Sequence, residues 1–525
     1  MHGHIISQIS RFRQGCYRRF DRIVFKGMLM PINFPAGMQL YLFNHGVLNK
    51  GYKDWAVSQS AAIVKAAQEY TTKQCGHGIE YIRSCHTRKE ELAHQQQEKT
   101  GVTEGLIGTW SCVESCRTYK AAFDEGSKIP KLVKTESRCK HLYYYYDHAD
   151  LGFMSIRLQT WAPFEIQIAL NGREWLRRML DKEGIEYVLS GNKFLHIDDY
   201  VLAQQLLDTQ RIMRCDDLLA GFLPSVFPTM AELFTGETPF SYTWTVWQSE
   251  VARDYIFTDP QALKPHMGHL LRYAFITGTS DRVLRYMGHP VREDGQPYPR
   301  SNPELMSRVN LWDDGARIRH WVDHNSVKMY NEQNVLRVEL TINDPTKFRI
   351  HRHIQGKPDS NKKLLPMRKG IADLAIRAQV SSDRIRCFTE QMAAVTEPVS
   401  FGELIADVSA PVFSDGKRYR ALDVTGKDLV LLQAIADPKF SVDAISNRLL
   451  QQSLDKTSWA HGLSGKKLSA RIGRHLRILR EHGLIKKLPK QHRYMLTDKG
   501  RKLTSALNVV LAASIEDLVK LTVAA

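Results

Sequence analysis

Residues 464–482 constrain the fold more than any other stretch of the chain. Leu468, Ile472, Leu476 and Leu479 recur at helical spacing and form one apolar stripe. Arg471, Arg474, Arg477 and Arg480 fall off that stripe. Such a helix must bury its leucine face against other elements and turn its arginines outward. Gly483 follows as the stop. Residues 484–488, a turn over 489–492 and residues 493–497 read as a two-stranded hairpin with a basic tip. Asp498 is placed to cap a closing helix that runs towards Leu521. Residues 427–435 and 442–450 supply two helices upstream.

The charge is concentrated in the same place. Residues 466–502 hold thirteen Lys or Arg against two acids, Glu481 and Asp498, in a chain whose formal charge is +17. That concentration is the electrostatic footprint expected of a nucleic-acid binder. A helix fits the major groove, and Arg side chains there reach phosphates and guanine edges. The expected DNA contacts are Lys467, Arg471, Arg474, Arg477 and Arg480 on the helix, with Lys486, Lys487, Lys490 and Arg493 on the hairpin.

The runs Leu479-Arg480-Glu481-His482-Gly483-Leu484-Ile485 and Arg493-Tyr494-Met495-Leu496-Thr497-Asp498-Lys499-Gly500 carry a family likeness. Residues 427–521 resemble the winged-helix domains of bacterial MarR and ArsR regulators. The resemblance implies a winged helix-turn-helix whose partner is double-stranded DNA. The alternative is a winged helix used for protein contacts.

A chain of 525 residues exceeds one core, so several domains are expected. The fold class expected is α+β: a large mixed N-terminal region followed by the C-terminal winged helix. The boundaries read as 1–150, a central α+β region 151–395 with antiparallel strands, a linker 396–420 rich in Pro, Gly and Ser, and 421–525. No internal repeat is visible. No run of eighteen apolar residues exists, and the basic, polar first twenty residues lack the apolar centre of a signal peptide. Eight scattered Cys imply reduced thiols and a cytoplasmic, bacterial-type protein with no membrane partner. The oligomeric state is left open.

In the N-terminal part, 23–30 and 106–113 read as strands, and 54–70 and 88–99 as helices. Residues 139–146 and 154–161 read as a hairpin, and 171–183 as a helix capped by Asn171 and stopped by Gly184. Residues 198–219 and 260–273 read as helices, and 367–395 as one or two more. Three strand-like runs occupy 316–322, 326–330 and 335–343.

The last two of those runs carry the second functional reading. With a four-residue turn at 331–334, Tyr330 opposes Val335, Lys328 opposes Arg337 and Ser326 opposes Glu339. Tyr330 and Glu339 are then about 13 Å apart along the ladder. Lys328, Tyr330, Arg337, Glu339 and Thr341 share a polar face, and Val327, Met329, Leu336, Val338 and Leu340 an apolar one. This hairpin resembles one of plasmid and phage rolling-circle replication initiators, in which a Lys or Arg and a Tyr precede a strand reading Arg-x-Glu. The resemblance implies DNA nicking by a tyrosine with a carboxylate-held metal, Mg²⁺ or Mn²⁺. Tyr330, Glu339 and Asp21 are the expected catalytic residues, and Glu339 and Asp21 the expected metal ligands. That reading requires the two carboxylates to lie within about 10 Å, or to have a third acid near. The competing reading is a salt-bridged sheet face with Glu339 paired to Lys328 or Arg337. No His-hydrophobe-His motif is present.

The chain as a whole is similar to a family of bacterial proteins that brings no assigned activity. The likeness rests on Asn171-Gly172-Arg173-Glu174-Trp175-Leu176, Gln159-Thr160-Trp161 and residues 336–343. Cys112, Cys116, Cys139 and His141 lack the paired knuckles of a zinc site and read as buried thiols. The run Tyr143–Tyr146 alternates faces on a strand, so two rings go to a core and the other two either stack on bases or pack as well, and packing is the favoured reading. No phosphate-binding or dinucleotide loop and no nucleophile elbow is present. Three functions remain in play. They are a mobile-element or plasmid-type DNA-processing protein (a replication initiator or a transposition-like nickase or nuclease), a non-enzymatic transcriptional regulator, and an RNA-binding protein; single-stranded DNA and RNA stand beside duplex DNA as partners to be considered.

Overall fold

A computed structural model describes residues 13–123, 129–191, 193–210, 215–234, 240–261, 263–264, 267, 280–289, 291–292, 303–312, 315–354, 356–357, 361–393, 401–414, 416–437, 439–440, 444–489 and 491–513. The expected helix over 260–273 and the DNA-contact candidate Lys490 lie largely or wholly outside those residues. Among the described residues no helix is long and apolar enough to cross a membrane.

The chain is mixed α/β and is organised by one large sheet. Its strands are β1 (Arg13–Met28), β2 (Glu80–Ile82), β3 (Gly105–Phe123), β4 (Pro130–His148), β5 (Gly152–Gln159) and β6 (Ile166–Asn171). A separate hairpin, β7 (Tyr187–Ser190) and β8 (Lys193–Ile197), follows. The sheet then resumes with β9 (Thr243–Phe257), β10 (Leu305–Trp312), β11 (Gly315–Val322), β12 (Asn325–Glu332) and β13 (Val335–Ile342). The sheet order is β10-β11-β12-β13-β9-β1-β6-β5-β4-β3-β2. Strands from 1–150 and from 151–395 therefore pair directly, with β1 and β9 antiparallel at the centre. Apolar residues of alternate parity, such as Ile156, Ile168, Val327 and Val338, pack in one core with helices Tyr52–Cys75, Gly172–Glu183 and Leu374–Ala393.

Capping follows the sequence at helix Gly172–Glu183. The Asn171 side chain accepts from the Arg173 and Glu174 amides, and Gly184 adopts a φ of 66° at the other end. Gly172 has no room for a side chain, because a Cβ there would lie 1.6 Å from the Phe20 carbonyl oxygen. Of the helix expected over 198–219, the stretches Tyr200–Gln210 and Cys215–Gly221 are helical, and residues 211–214 lie outside the described residues.

The sheet contains a repeat that the sequence hides. β1 pairs with the last strand of the meander β3–β6, and β9 with the last strand of the meander β10–β13. The β1–β9 register maps onto itself when the two strands are exchanged. Ile23 faces Ser249, while Arg22 faces Glu250 and Val24 faces Gln248. The bulge at Asp21 recurs as a bulge at Trp247. The two five-stranded halves are thus related by a pseudo-two-fold axis between Ile23 and Ser249.

A second core, separate from the first, is built by residues 401–507. Helices Leu429–Ile435, Asn447–Leu454 and Gly465–Glu481 lead to a hairpin of Ile485–Lys487 and Tyr494–Leu496, closed by helix Asp498–Ala512. Leu468, Ile472, Leu476 and Leu479 are buried there. Within 396–420, Phe401–Val408 forms a helix because Phe401, Leu404, Ile405 and Val408 recur at helical spacing and pack into this core. The cap of the closing helix is Thr497, whose hydroxyl accepts from the Gly500 amide. Asp498 is instead the first helical residue and pairs with Arg501.

Candidate functional site

The polar face foreseen for β12 and β13 exists, but its register differs by two residues. The turn is the two-residue Gln333–Asn334, with Gln333 at φ 53°, not four residues over 331–334. A shift of two preserves each side chain's face and changes every partner. Tyr330 faces Arg337, Lys328 faces Glu339 and Ser326 faces Thr341. Tyr330 and Glu339 become diagonal neighbours, about 7–8 Å apart, not the 13 Å of the wider turn.

Next to β13 lies β9, where Arg337 faces Asp254 and Thr341 faces Glu250. Beyond it, the β1 bulge places Asp21 on the same face. Carboxylate oxygens of Asp21, Glu250 and Glu339 all lie within 4.8 Å of one another, one acid from each of three strands. Among the described residues this is the group of His, Cys, Asp and Glu with metal-ligand convergence. Asp21 and Glu339 thus meet the separation that the nickase reading requires, with Glu250 as the third acid.

The cluster is heavily ion-paired. Arg337 is fully buried and lies 3.6 Å from Asp254 and 3.5 Å from Glu339, with Asp21 at 2.5 Å. Arg19 reaches Asp21 at 3.0 Å and Asp254 at 3.7 Å. Lys328 Nζ lies 2.6 Å from Glu339 Oε1. Both salt bridges of the competing reading are therefore present. They leave Glu250 over, which is in no ion pair among the described residues.

The protonation states follow from this accounting. Burial, and then the Glu339 charge beside it, push Glu250 up to about 7. Burial would also raise Asp21, but Arg337 and Arg19 outweigh it and bring that carboxyl down to about 2. Burial pushes the Tyr330 phenol above its ordinary value. Arg337 pulls it back, and the nearby carboxylates raise it again. Lys328 Nζ stands 5.6 Å from the centre of the Tyr330 ring. A cleft of about 260 Å³ opens beside the acids, lined among others by Asp21, Arg22, Ser155, Asn171, Arg173 and Glu250.

The donor set can be tested against the implied metal. Three carboxylates are hard oxygen donors, the chemistry that Mg²⁺ and Mn²⁺ take, and the set contains no sulfur or imidazole. Glu250, raised by burial and by the Glu339 charge, is a carboxyl that a bound cation would deprotonate.

The tail's candidates are distributed as follows. Lys467, Arg474, Arg477, Lys486, Lys487 and Arg493 are exposed. Arg471 is half-buried, with its guanidinium 4.6 Å over the Trp459 ring, and Arg480 pairs with Glu481 at 2.5 Å. Of the tyrosine run, Tyr144 and Tyr146 enter the main core. Tyr145 is buried in a smaller cluster under helix Lys89–Thr100, and Tyr143 lies half-buried with Lys89 4.7 Å over its ring. His141 is buried beside Cys139, and burial pushes its imidazole down to about 4.

The chain matches no family model, no curated protein and no solved structure.

Proposed function

We propose that the protein is a metal-dependent DNA nickase that finds its site with a C-terminal winged helix. The observation that carries the reading is the convergence of Asp21, Glu250 and Glu339 from three strands within 4.8 Å, on the face that presents Tyr330. Asp21, Glu250 and Glu339 would hold one Mg²⁺ or Mn²⁺. When bound, the ion supplies Lewis-acid polarisation of a phosphate oxygen.

Tyr330 is the nucleophile. Its Oη forms a bond to phosphorus, and the bond from phosphorus to one deoxyribose oxygen breaks. The phenol gives up its proton and the leaving oxygen gains one, so the step is neutral overall. Lys328, between Tyr330 and Glu339, offers a positive charge to the phosphate. Arg337 fixes Asp21 and Glu339 from within the sheet.

The tail would serve as the reader of duplex DNA. Exposed Arg474 and Arg477 would enter a groove, and Lys486, Lys487 and Arg493 would lie on the flanking backbone.

The test incubates the protein with supercoiled and single-stranded DNA plus Mg²⁺ or Mn²⁺. It reads nicks and a protein–DNA adduct that maps to Tyr330. Tyr330→Phe is expected to lose both while still binding Mn²⁺. No cleavage of any substrate, alongside tight duplex binding, would replace this reading with that of a regulator.

A further inference from the structure

The pseudo-two-fold axis gives every residue of the acid cluster a counterpart in the other half. The ladders fix the correspondence. Glu339 faces Lys328 across β13–β12, as Gln167 faces Arg157 across β6–β5. Thr341 faces Glu250 and Ser326, as Ala169 faces Val24 and Ser155. Asp21 corresponds to Trp247, since each is the extra residue of its strand's bulge.

The twin position has therefore exchanged its acids. Asp21, Glu250 and Glu339 are answered by Trp247, Val24 and Gln167. The cation is kept, as Arg157 in place of Lys328. Two further lysines surround the position. Lys26 Nζ lies 4.7 Å and Lys369 Nζ 5.7 Å from the centre of the Trp247 ring. Lys26 also pairs with Glu165 at 2.6 Å, and Lys369 is exposed. Trp247 is 45% exposed.

We infer that this twin position is a non-catalytic binding site for a base and its phosphate in single-stranded DNA, on the same sheet face as the nicking site. The inference rests on the reading of that site as a nickase. An exposed indole offers a stacking surface to any base. Lys369 is in no ion pair among the described residues and offers the charge a phosphate needs, with Lys26, which Glu165 holds, and Arg157, which Glu114 holds at 3.0 Å, as polar donors beside it. Without the three carboxylates the twin cannot gather a divalent cation, so it holds a strand and does not cut it. The axis puts the two positions on neighbouring central strands, so one strand would engage both.

The experiment uses the full chain in EDTA, where no metal-dependent cleavage occurs, with a fluorescent 20-nucleotide single strand containing 5-iododeoxyuridine. Irradiation is expected to cross-link the strand to the peptide carrying Trp247. Anisotropy is expected to show about tenfold weaker binding for Trp247→Ala and near-normal binding for Trp247→Phe. Both variants should bind Mn²⁺ as the parent does. Unchanged strand affinity in Trp247→Ala and in the double variant Lys26→Ala/Lys369→Ala would overturn the inference, as would cross-links confined to the C-terminal helices. Loss of Mn²⁺ binding by the parent protein, with Trp247-dependent strand binding intact, would remove the metal reading and leave this site standing.

Discussion

Metal affinity at the acid cluster should depend on pH through Glu250. Its carboxyl sits at about 7 in the metal-free protein, raised by burial and by Glu339. A cation and that proton compete for the same oxygens. With that value, about a tenth of Glu250 is ionised at pH 6 and about nine-tenths at pH 8. Mn²⁺ should therefore bind nearly tenfold more tightly at pH 8, about 1.3 kcal/mol. Asp21, already down at about 2, adds nothing over this range. Calorimetry in two buffers of different ionisation enthalpy should show about half a proton released per ion at pH 7. Glu250→Gln should bind weakly and lose the pH slope. The same variant should stabilise the metal-free protein. A carboxyl raised in the folded state takes stability away as pH climbs from its unfolded value of 4.5 towards 7. The gain should be about 1–3 kcal/mol at pH 8 and vanish near pH 4. Equal Mn²⁺ affinity at pH 6 and 8, with no proton release, would refute the placement of Glu250 among the ligands.

Two further outcomes follow from the same contacts. Arg337→Met leaves Asp21 and Asp254 to share Arg19 alone and strips Glu339 of one of its two cations, and should destabilise the fold by about 3 kcal/mol by denaturant melting. Arg474→Glu with Arg477→Glu should abolish duplex binding in a mobility-shift assay at moderate salt. The melting temperature should change little, because both side chains are exposed.

Two of the helices could be read from local chemistry, one from periodicity and one from its cap. The leucine stripe of Gly465–Glu481 and the Asn171 cap follow from local chemistry, and both form as the pattern dictates. The face assignment of β12 and β13 could also be read, because parity survives a register error of two. What stayed hidden was β9 and with it Glu250. Trp244 and Val246 are buried, but so are Ser249 and Val251, since the bulge at Trp247 shifts the phase of the alternation mid-strand. A period-2 search fails on such a strand. The repeat stayed hidden for a related reason. The runs Ser155-Ile156-Arg157-Leu158 and Ser326-Val327-Lys328-Met329 are alike, but they span half a strand each and sit in units whose connecting segments differ. Only the hydrogen-bond ladders make them equivalent.

The central place of β1 also has a bearing on biosynthesis. The six N-terminal strands β1–β6 can assemble once Asn171 has been made, yet β1 then has an open flank until the chain from Thr243 onward arrives. Through that interval a nascent polypeptide carries an unpaired edge that could join a neighbour's. Arg18, Arg19 and Arg22 stud that border, and their mutual repulsion between chains would keep newly made copies apart until β9 closes it.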